Sequence, residues 1–505
     1  MNESIDPKET QRIPAQGIDE KFIRLMKGLF FAFLIIQLLV MIFRPLSDPS
    51  ECRYGNMAAN MASAGNFIEP KYIYDGVFQC FEGKPPLFFQ LGGIACLLFG
   101  KSAFAVRFPS FVFSLITVWI VFVTVRKVTN RKNAWVAALL CFLNPMFYIY
   151  SGLCATDMML TCCIAGGVLA YFGFTDARAV VQSKKYSLLF ILCLALGMMV
   201  KGPVAIVSIG LPVFLFVAIY RKWDAVPRHA WMSGFLLFAV IVFPWFYCMQ
   251  NLHPDFLTYF FYNENFARFL LKEYGDKFGN GHDSFRGVAF FIAILSNLPI
   301  LAPLLMLLYK KRLTISGIKS RNLEGISLIA AAALTVFWCT TNRVPLSYLL
   351  PTIPFLAIFT VLKLVETEQG GDDRRLRVSV YLTAAMGIIT ASVLVVLTIF
   401  STQVTSKMPA PFYQHILRQE KKMGVCTKEG YYFFRKTPLS AEFYLGDRVR
   451  NHPDEKGEAS LTNSRPYNLL ITDKNLSEIT KPLNRKRMLE HGKWNLFSPE
   501  QPEDQ

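Results

Sequence analysis

Charge is scarce in this chain: of 505 residues, 18% are Asp, Glu, Lys or Arg, while 53% are hydrophobic. Long, nearly uncharged apolar runs recur from residue 22 to residue 401, which excludes a soluble protein and indicates an all-α polytopic membrane protein. The runs are continuous rather than alternating, so a β-barrel is disfavoured. The eleven cysteines form no CxxC pair and no Cys/His spacing, and hence imply no zinc site. Neither a nucleotide-binding glycine loop nor a repeat of fixed period is present, and the inverted symmetry common in transporters is missing too. No A-x-A pattern follows the first apolar run, Phe22 to Phe43; that run is too long for a signal-peptide core and reads as a retained span. The net charge of +17 fits basic loops beside anionic lipid better than it fits nucleic acid.

The candidate spans are 22–43, 108–126, 134–150, 155–175, 186–200, 203–220, 231–249, 288–309, 324–340, 346–364 and 378–401, about eleven in all and up to thirteen if shorter runs cross. The run from Pro85 to Phe99 is short and opens with two prolines, so it is read as an interfacial helix. With Lys21, Arg24 and Lys27 in the cytoplasm, alternating spans put Arg126, Lys127, Arg131 and Lys132, then Arg178, Lys184 and Lys185, then Arg221, Lys222 and Arg228 on the same side. The opposite loops are mostly short and poor in Lys and Arg, as the positive-inside rule expects. Three segments follow: a cytoplasmic tail (1–21), a transmembrane domain (22–401) whose first outer loop is 44–107, and an outer α/β domain (402–505). In the last of these, YYFFR, EFYLG and NLLIT read as strands.

This topology gathers the unusual polar residues on the outer face. The first loop contributes Asp48, Glu51, Arg53, Tyr54, Glu82 and Lys84; Asp157 opens a span, and Lys201 lies in the turn VKGP. Later loops add Glu264, Arg268 and His282, then Arg343 and Tyr348. Ionisable residues at membrane helix ends are functional candidates by default. Plainer roles compete: a turn at Asp48-Pro49, an N-cap at Asp157, snorkelling for Lys201, Arg268 and Arg343, a loop cap at Glu264, and a surface position for His282. Glu264 and His282 share a loop and could ligate a divalent metal; no other cofactor is indicated. Cys52 and Cys80 both lie in the first loop and could pair in an oxidising compartment.

Carboxylates beside cations at a membrane surface suit glycosyl transfer from a lipid-linked sugar phosphate. A carboxylate can take a proton from an acceptor hydroxyl, or orient an acceptor phosphate that is already nucleophilic. Lys84, Arg53 and Arg268 can offset charge on the departing lipid phosphate. A transporter or flippase, the rival from another class, would place charges near the bilayer midplane and interrupt its helices in pairs.

The motifs DPSECRY (Asp48 to Tyr54), FEGKPPL (Phe81 to Leu87), FGKSAFAVRFPS (Phe99 to Ser110), TDMMLT around Asp157, VKGPVA around Lys201, FFYNENFARF (Phe260 to Phe269) and RVPLSYLLP (Arg343 to Pro351) resemble the PMT-like family of GT-C glycosyltransferases, in particular bacterial aminoarabinose transferases acting on lipid A. The resemblance implies a GT-C fold, a polyprenyl-phosphate sugar donor and a periplasmic active site in the bacterial inner membrane. Its expected acceptor is lipid A or another lipopolysaccharide component, with a protein hydroxyl or a different envelope glycan as the alternative. Carried over by residue, it implies catalytic roles for Asp48, Glu51, Glu82 and Asp157, donor-phosphate contacts for Arg53, Lys84, Lys201 and Arg268, and cavity-wall positions for Tyr54, Glu264, Arg343 and Tyr348. One departure stands out: these transferases commonly carry an adjacent Asp-Glu pair in the first loop, and here Ser50 replaces the aspartate, leaving the catalytic carboxylate open between Asp48 and Glu51.

Overall fold

A backbone inside lipid must satisfy its own hydrogen bonds, and the apolar runs accordingly fold as helices. In a computed structural model, residues 20–267 are described apart from 75–76, 177–179 and 229. Beyond them the described residues are parts of 291–305, then 322–339, 346–367, 374–399 and 413, and, near the C-terminus, 431–433, 439–445, 449–451, 469–472, 485–491 and 494–499.

The elements up to residue 252 are α1 (Glu20–Phe43), α2 (Ser50–Ala64), β1 (Lys71–Tyr74), β2 (Val77–Cys80), α3 (Leu87–Phe99), α4 (Ala103–Val128), α5 (Arg131–Phe142), α6 (Pro145–Ser151), α7 (Thr156–Asp176), α8 (Val180–Lys201), α9 (Pro203–Tyr220) and α10 (Trp231–Leu252). Helices Asn322–Cys339, Ile353–Thr367 and Arg374–Ile399 follow. Among the described residues, 8 helices are long and apolar enough to cross a membrane, or 9 with the bent pair α5–α6 taken as one. The protein is thus a multi-span membrane protein. The expected span 288–309 lies largely outside the described residues.

The expected single span 134–150 is instead two helices meeting at 73°. Asn144 and Pro145 cause the break. Proline suits the first position of a new helix, and the Asn144 side chain caps α6 by accepting from the backbone N–H groups of Met146 and Phe147. Asn144 also donates to the Ser296 carbonyl at 3.0 Å, so the bend is tied to a later part of the bundle. Helix α3 has 13 residues, too few to cross upright, in line with its reading as interfacial.

Between α1 and α3 the first loop is ordered as a helix and a hairpin. Strands β1 and β2 pair antiparallel with Lys71 opposite Cys80 and Tyr74 opposite Val77. The described C-terminal strands β3 (Tyr431–Phe433), β4 (Val449–Asn451), β5 (Leu469–Thr472), β6 (Arg485–His491) and β7 (Trp494–Pro499) form one mixed sheet in the order β4-β3-β5-β7-β6. The stretches YYFFR and NLLIT supply β3 and β5, but EFYLG falls in helix Leu439–Leu445 rather than in a strand.

Tertiary contact explains that reversal. Glu442 of this helix accepts from Asn56 and Asn60 of α2, each at 2.8 Å, and from the Ile73 backbone N–H at 3.2 Å. Phe443 packs where a Cβ on Gly55 would come within 3.3 Å of its ring. Asp48 accepts from the Ser440 backbone N–H at 2.9 Å and from its hydroxyl. A helix lets Ser440, Glu442 and Phe443 all engage the first loop, overriding the strand propensity of the apolar residues.

Burial raises the Asp48 carboxyl from 3.8 to about 6, against the lowering effect of hydrogen bonds from Ser440 and Cys52. The folded state therefore holds this proton more tightly than the unfolded chain. Its stabilising contribution is complete below pH 3.8 and is lost as pH rises through about 6. Melting curves across that range should show the wild type losing stability relative to Asp48→Asn; a difference independent of pH would contradict this reading of Asp48.

Candidate active site

Two clusters of charge gather at helix ends, and they divide the residues singled out by sequence. The first is centred on Glu51, in the first turn of α2. Arg107 reaches it from α4 in a bidentate pair, Nε to Oε1 and Nη2 to Oε2, both at 3.0 Å. Arg44, just past α1, adds a contact at 3.3 Å, Ser47 donates through its N–H at 3.2 Å and its hydroxyl at 2.9 Å, and the Cys154 backbone N–H donates at 3.0 Å. The side chains of Glu51 and Arg107 are 5% and 0% exposed. Burial alone would raise the Glu51 carboxyl; Arg107 and Arg44 overcome it and hold the group down at about 2. Arg107 also donates to the carbonyls of Met41, Arg44 and Pro45.

Both Glu51 oxygens are thus occupied, and the carboxylate faces protein on all sides. Arg107 and Arg44 were not singled out by sequence. The available signal was an arginine inside the apolar run FAVRFPS, a costly placement that needs a partner.

The second cluster is centred on Asp157. The sequence left open a purely capping role, but α7 begins at Thr156, so Asp157 lies within the first turn, where the helix dipole favours an anion. Its carboxylate meets Lys201 Nζ at 2.7 Å, with side-chain exposures of 13% and 9%. Ser347 also hydrogen-bonds Asp157, and Lys84 is a second cation near enough to act on it electrostatically. The Lys201 ammonium lies 4.4 Å from the centre of the Tyr348 ring. Lys84 Nζ bonds the Tyr54 hydroxyl and lies 4.5 Å from the Tyr54 ring centre. The structure therefore brings Tyr54, Lys84, Asp157, Lys201 and Tyr348 together from five separate stretches of sequence.

Local backbone chemistry sets this arrangement. Lys201 ends α8, Gly202 turns the chain, and Pro203 starts α9. Gly202 has φ 80° and ψ −155°, a conformation open essentially to glycine alone. A Cβ there would lie 2.6 Å from the Phe260 ring, so the turn also abuts the π-helical segment Tyr259–Ala267. Glu264 of that segment is buried, accepts from the Tyr259 hydroxyl at 2.9 Å, and has its carboxyl carbon 3.5 Å from where a Gly83 Cβ would be. The FEGKPP loop is thereby backed by this segment.

The remaining candidates are placed differently. Asp48 faces helix Leu439–Leu445. Arg53 is buried with its guanidinium 6.0 Å from the Tyr72 ring centre. Glu82 is half-buried in the loop before Lys84. Ser50 is exposed at the start of α2. Cys52 and Cys80 are both free thiols, so the disulfide entertained for the first loop does not form. Arg268, His282 and Arg343 lie outside the described residues.

A membrane protein of GT-C fold is what this architecture defines. The structure matches that of ArnT from Cupriavidus metallidurans bound to undecaprenyl phosphate with a TM-score of 0.75, over 95% of this chain and 98% of that one, at 15% identity. Residues 83–247 match the family model described as dolichyl-phosphate-mannose-protein mannosyltransferase, in agreement with the PMT-like resemblance. More particularly, the chain is similar to undecaprenyl phosphate-alpha-4-amino-4-deoxy-L-arabinose arabinosyl transferases. It is 29% identical to that of Shewanella sediminis over 244 residues, 48% of this chain and 43% of the relative. The Aeromonas salmonicida enzyme is 26% identical over 379 residues, 73% and 65% of the respective chains. The matches thus cover less than two thirds of each of these two relatives' own length.

The Gly202 turn supplies a direct test. Gly202→Ala should cost about 1–3 kcal/mol from backbone strain alone, with the Phe260 contact adding to it. A melting temperature equal to that of the wild type in detergent would show that the turn does not constrain Lys201 as described.

Proposed function

We propose that this protein is an integral-membrane glycosyltransferase that moves a monosaccharide from a polyprenyl-phosphate donor to lipid A or another lipopolysaccharide component, at the periplasmic face of the bacterial inner membrane. The observation that carries the reading is the Asp157–Lys201 pair with Lys84, Tyr54 and Tyr348 around it at the ends of α7 and α8. The match in fold to a protein solved with undecaprenyl phosphate supports it. The similarity to aminoarabinose transferases favours 4-amino-4-deoxy-L-arabinose or a related sugar.

In this reading the bond between the sugar C1 and the donor phosphate oxygen breaks as C1 bonds an acceptor oxygen, and polyprenyl phosphate leaves. Charge grows on the departing phosphate, and Lys84 and Lys201 stand ready to offset it. Asp157 holds the Lys201 ammonium in place. With a phosphate acceptor no base is required, because that oxygen is already anionic; with a hydroxyl acceptor, Asp157 takes the proton. Arg268 and Arg343, carried over from the family resemblance, would join the phosphate side and the cavity wall.

Two of the first-loop carboxylates take other work here. Glu51 is a structural anchor, since moving its carboxylate would strand Arg107 in the interior. Asp48 anchors helix Leu439–Leu445. Asp157, which meets Lys201 with Lys84 nearby, is the carboxylate assigned to the reaction, and this accommodates Ser50 where relatives commonly carry aspartate. The docking of that helix on the first loop supports placing the segment 402–505 on the same side as the site.

The test compares lipid A and other envelope glycans by mass spectrometry in cells with and without the protein, then with variants shown to be folded. Lys84→Ala and Asp157→Asn should each lower transfer by about a hundred-fold or more. Wild-type transfer by either variant would refute the site, and unchanged lipid A alongside a modified second glycan would move the acceptor.

A further inference from the structure

Outside the Asp157 cluster, three potential metal ligands converge from distant parts of the chain. Glu69 lies between α2 and β1, Cys80 ends β2, and His253 follows α10; one ligand atom from each lies within 4.8 Å of the others. Glu69 Oε1 and His253 Nε2 are 3.0 Å apart although 184 positions separate them in sequence. Cys80 is 7% exposed and belongs to the same buried cluster as Trp245, Phe246 and Met249 of α10.

The surroundings of Glu69 hold it in a ligand-ready pose. Its Oε2 is engaged by Lys71 Nζ at 2.8 Å and by Asn66 Nδ2 at 3.1 Å, while Asn66 Oδ1 accepts from the Ile68 and Glu69 backbone N–H groups. Oε1 is thereby turned toward His253 and Cys80. Metal-binding carboxylates are commonly steadied by hydrogen bonds of this kind. Trp245 Nε1 donates to the Ile68 carbonyl at 2.9 Å, pinning the same loop to α10, and the Phe81 N–H donates to the Pro70 carbonyl at 2.8 Å, keeping the end of β2 beside it.

We propose that Glu69, Cys80 and His253 form a site for a divalent metal of the zinc type. One thiolate, one imidazole and one carboxylate suit zinc rather than magnesium or calcium, which prefer oxygen alone. Bonds of about 2.0–2.3 Å put tetrahedral ligand atoms roughly 3.3–3.8 Å apart, so the present spacing needs only a small inward shift of the thiol. Binding displaces the Cys80 proton to solvent, forms one metal–sulfur bond, and leaves a fourth position for water. Thiolate and carboxylate together match the two charges of the ion, and the Lys71 ammonium on Glu69 Oε2 leaves a local sum of +1.

Such an ion would staple three elements that back the Asp157 cluster. Cys80 directly precedes the loop carrying Lys84, and His253 lies shortly before the segment carrying Glu264. The site stands on its own geometry and does not depend on the proposed reaction. It also has no local sequence signature, because its ligands are brought together by the hairpin register and the end of α10.

The experiment uses the full chain in detergent, stripped with chelator and then titrated with zinc or cobalt(II). The wild type should retain about one zinc per chain, gain thermal stability on zinc addition, and with cobalt show a thiolate-to-metal charge-transfer band. Cys80→Ser should abolish the band, and His253→Gln, which spares the thiol, should weaken zinc binding about ten-fold or more. Should Cys80→Ser fail to fold, the titration of His253→Gln decides. Absence of retained zinc and of the cobalt band in folded wild type would overturn the proposal, as would wild-type zinc affinity in His253→Gln.

Discussion

The buried pairing of Arg107 with Glu51 is the constraint on which the charged end of the helix bundle rests. It ties the start of α4 to α2, and through carbonyls and N–H groups it adds the end of α1 and the segment leading into α7. Asp157 comes three residues after Cys154, whose N–H is held by Glu51. Two charges withdrawn from water are costly, and they persist only where geometry and extra hydrogen bonds compensate. Here both Glu51 oxygens and several backbone carbonyls provide that compensation.

A catalytic group needs room to meet substrate, and Glu51 has none, whereas Asp157 belongs to a mixed cluster with two lysines and two tyrosines. The substitution at Ser50 then reads differently from a lost active site. On the proposed reading, two acidic residues of the first loop serve as joints, Glu51 toward α4 and Asp48 toward helix Leu439–Leu445.

Much of this was legible in the sequence. Apolar runs marked most of the helices, and the rule that ionisable residues at membrane helix ends need a purpose led to Lys84, Asp157, Lys201 and Tyr348. What the sequence hid depends on tertiary contact. EFYLG has the composition of a strand, yet Ser440, Glu442 and Phe443 must all reach α2, and a helix achieves that. The break at Asn144-Pro145 lies within one apolar run. The pairing of Glu51 was hidden because its partner Arg107 is 56 positions away, inside a span. Glu69, Cys80 and His253 carry no recognisable spacing at all.

The division of labour between Glu51 and Asp157 is tested most directly by a double-mutant cycle on Glu51 and Arg107, reading stability in detergent and sugar transfer together. Glu51→Ala should destabilise the fold by about 3–5 kcal/mol, because Arg107 is left buried without its carboxylate, and replacement of both residues by apolar ones should restore much of the loss along with transfer. A Glu51→Ala protein that melts like the wild type yet transfers no sugar would contradict it, and would return the catalytic carboxylate to the first loop.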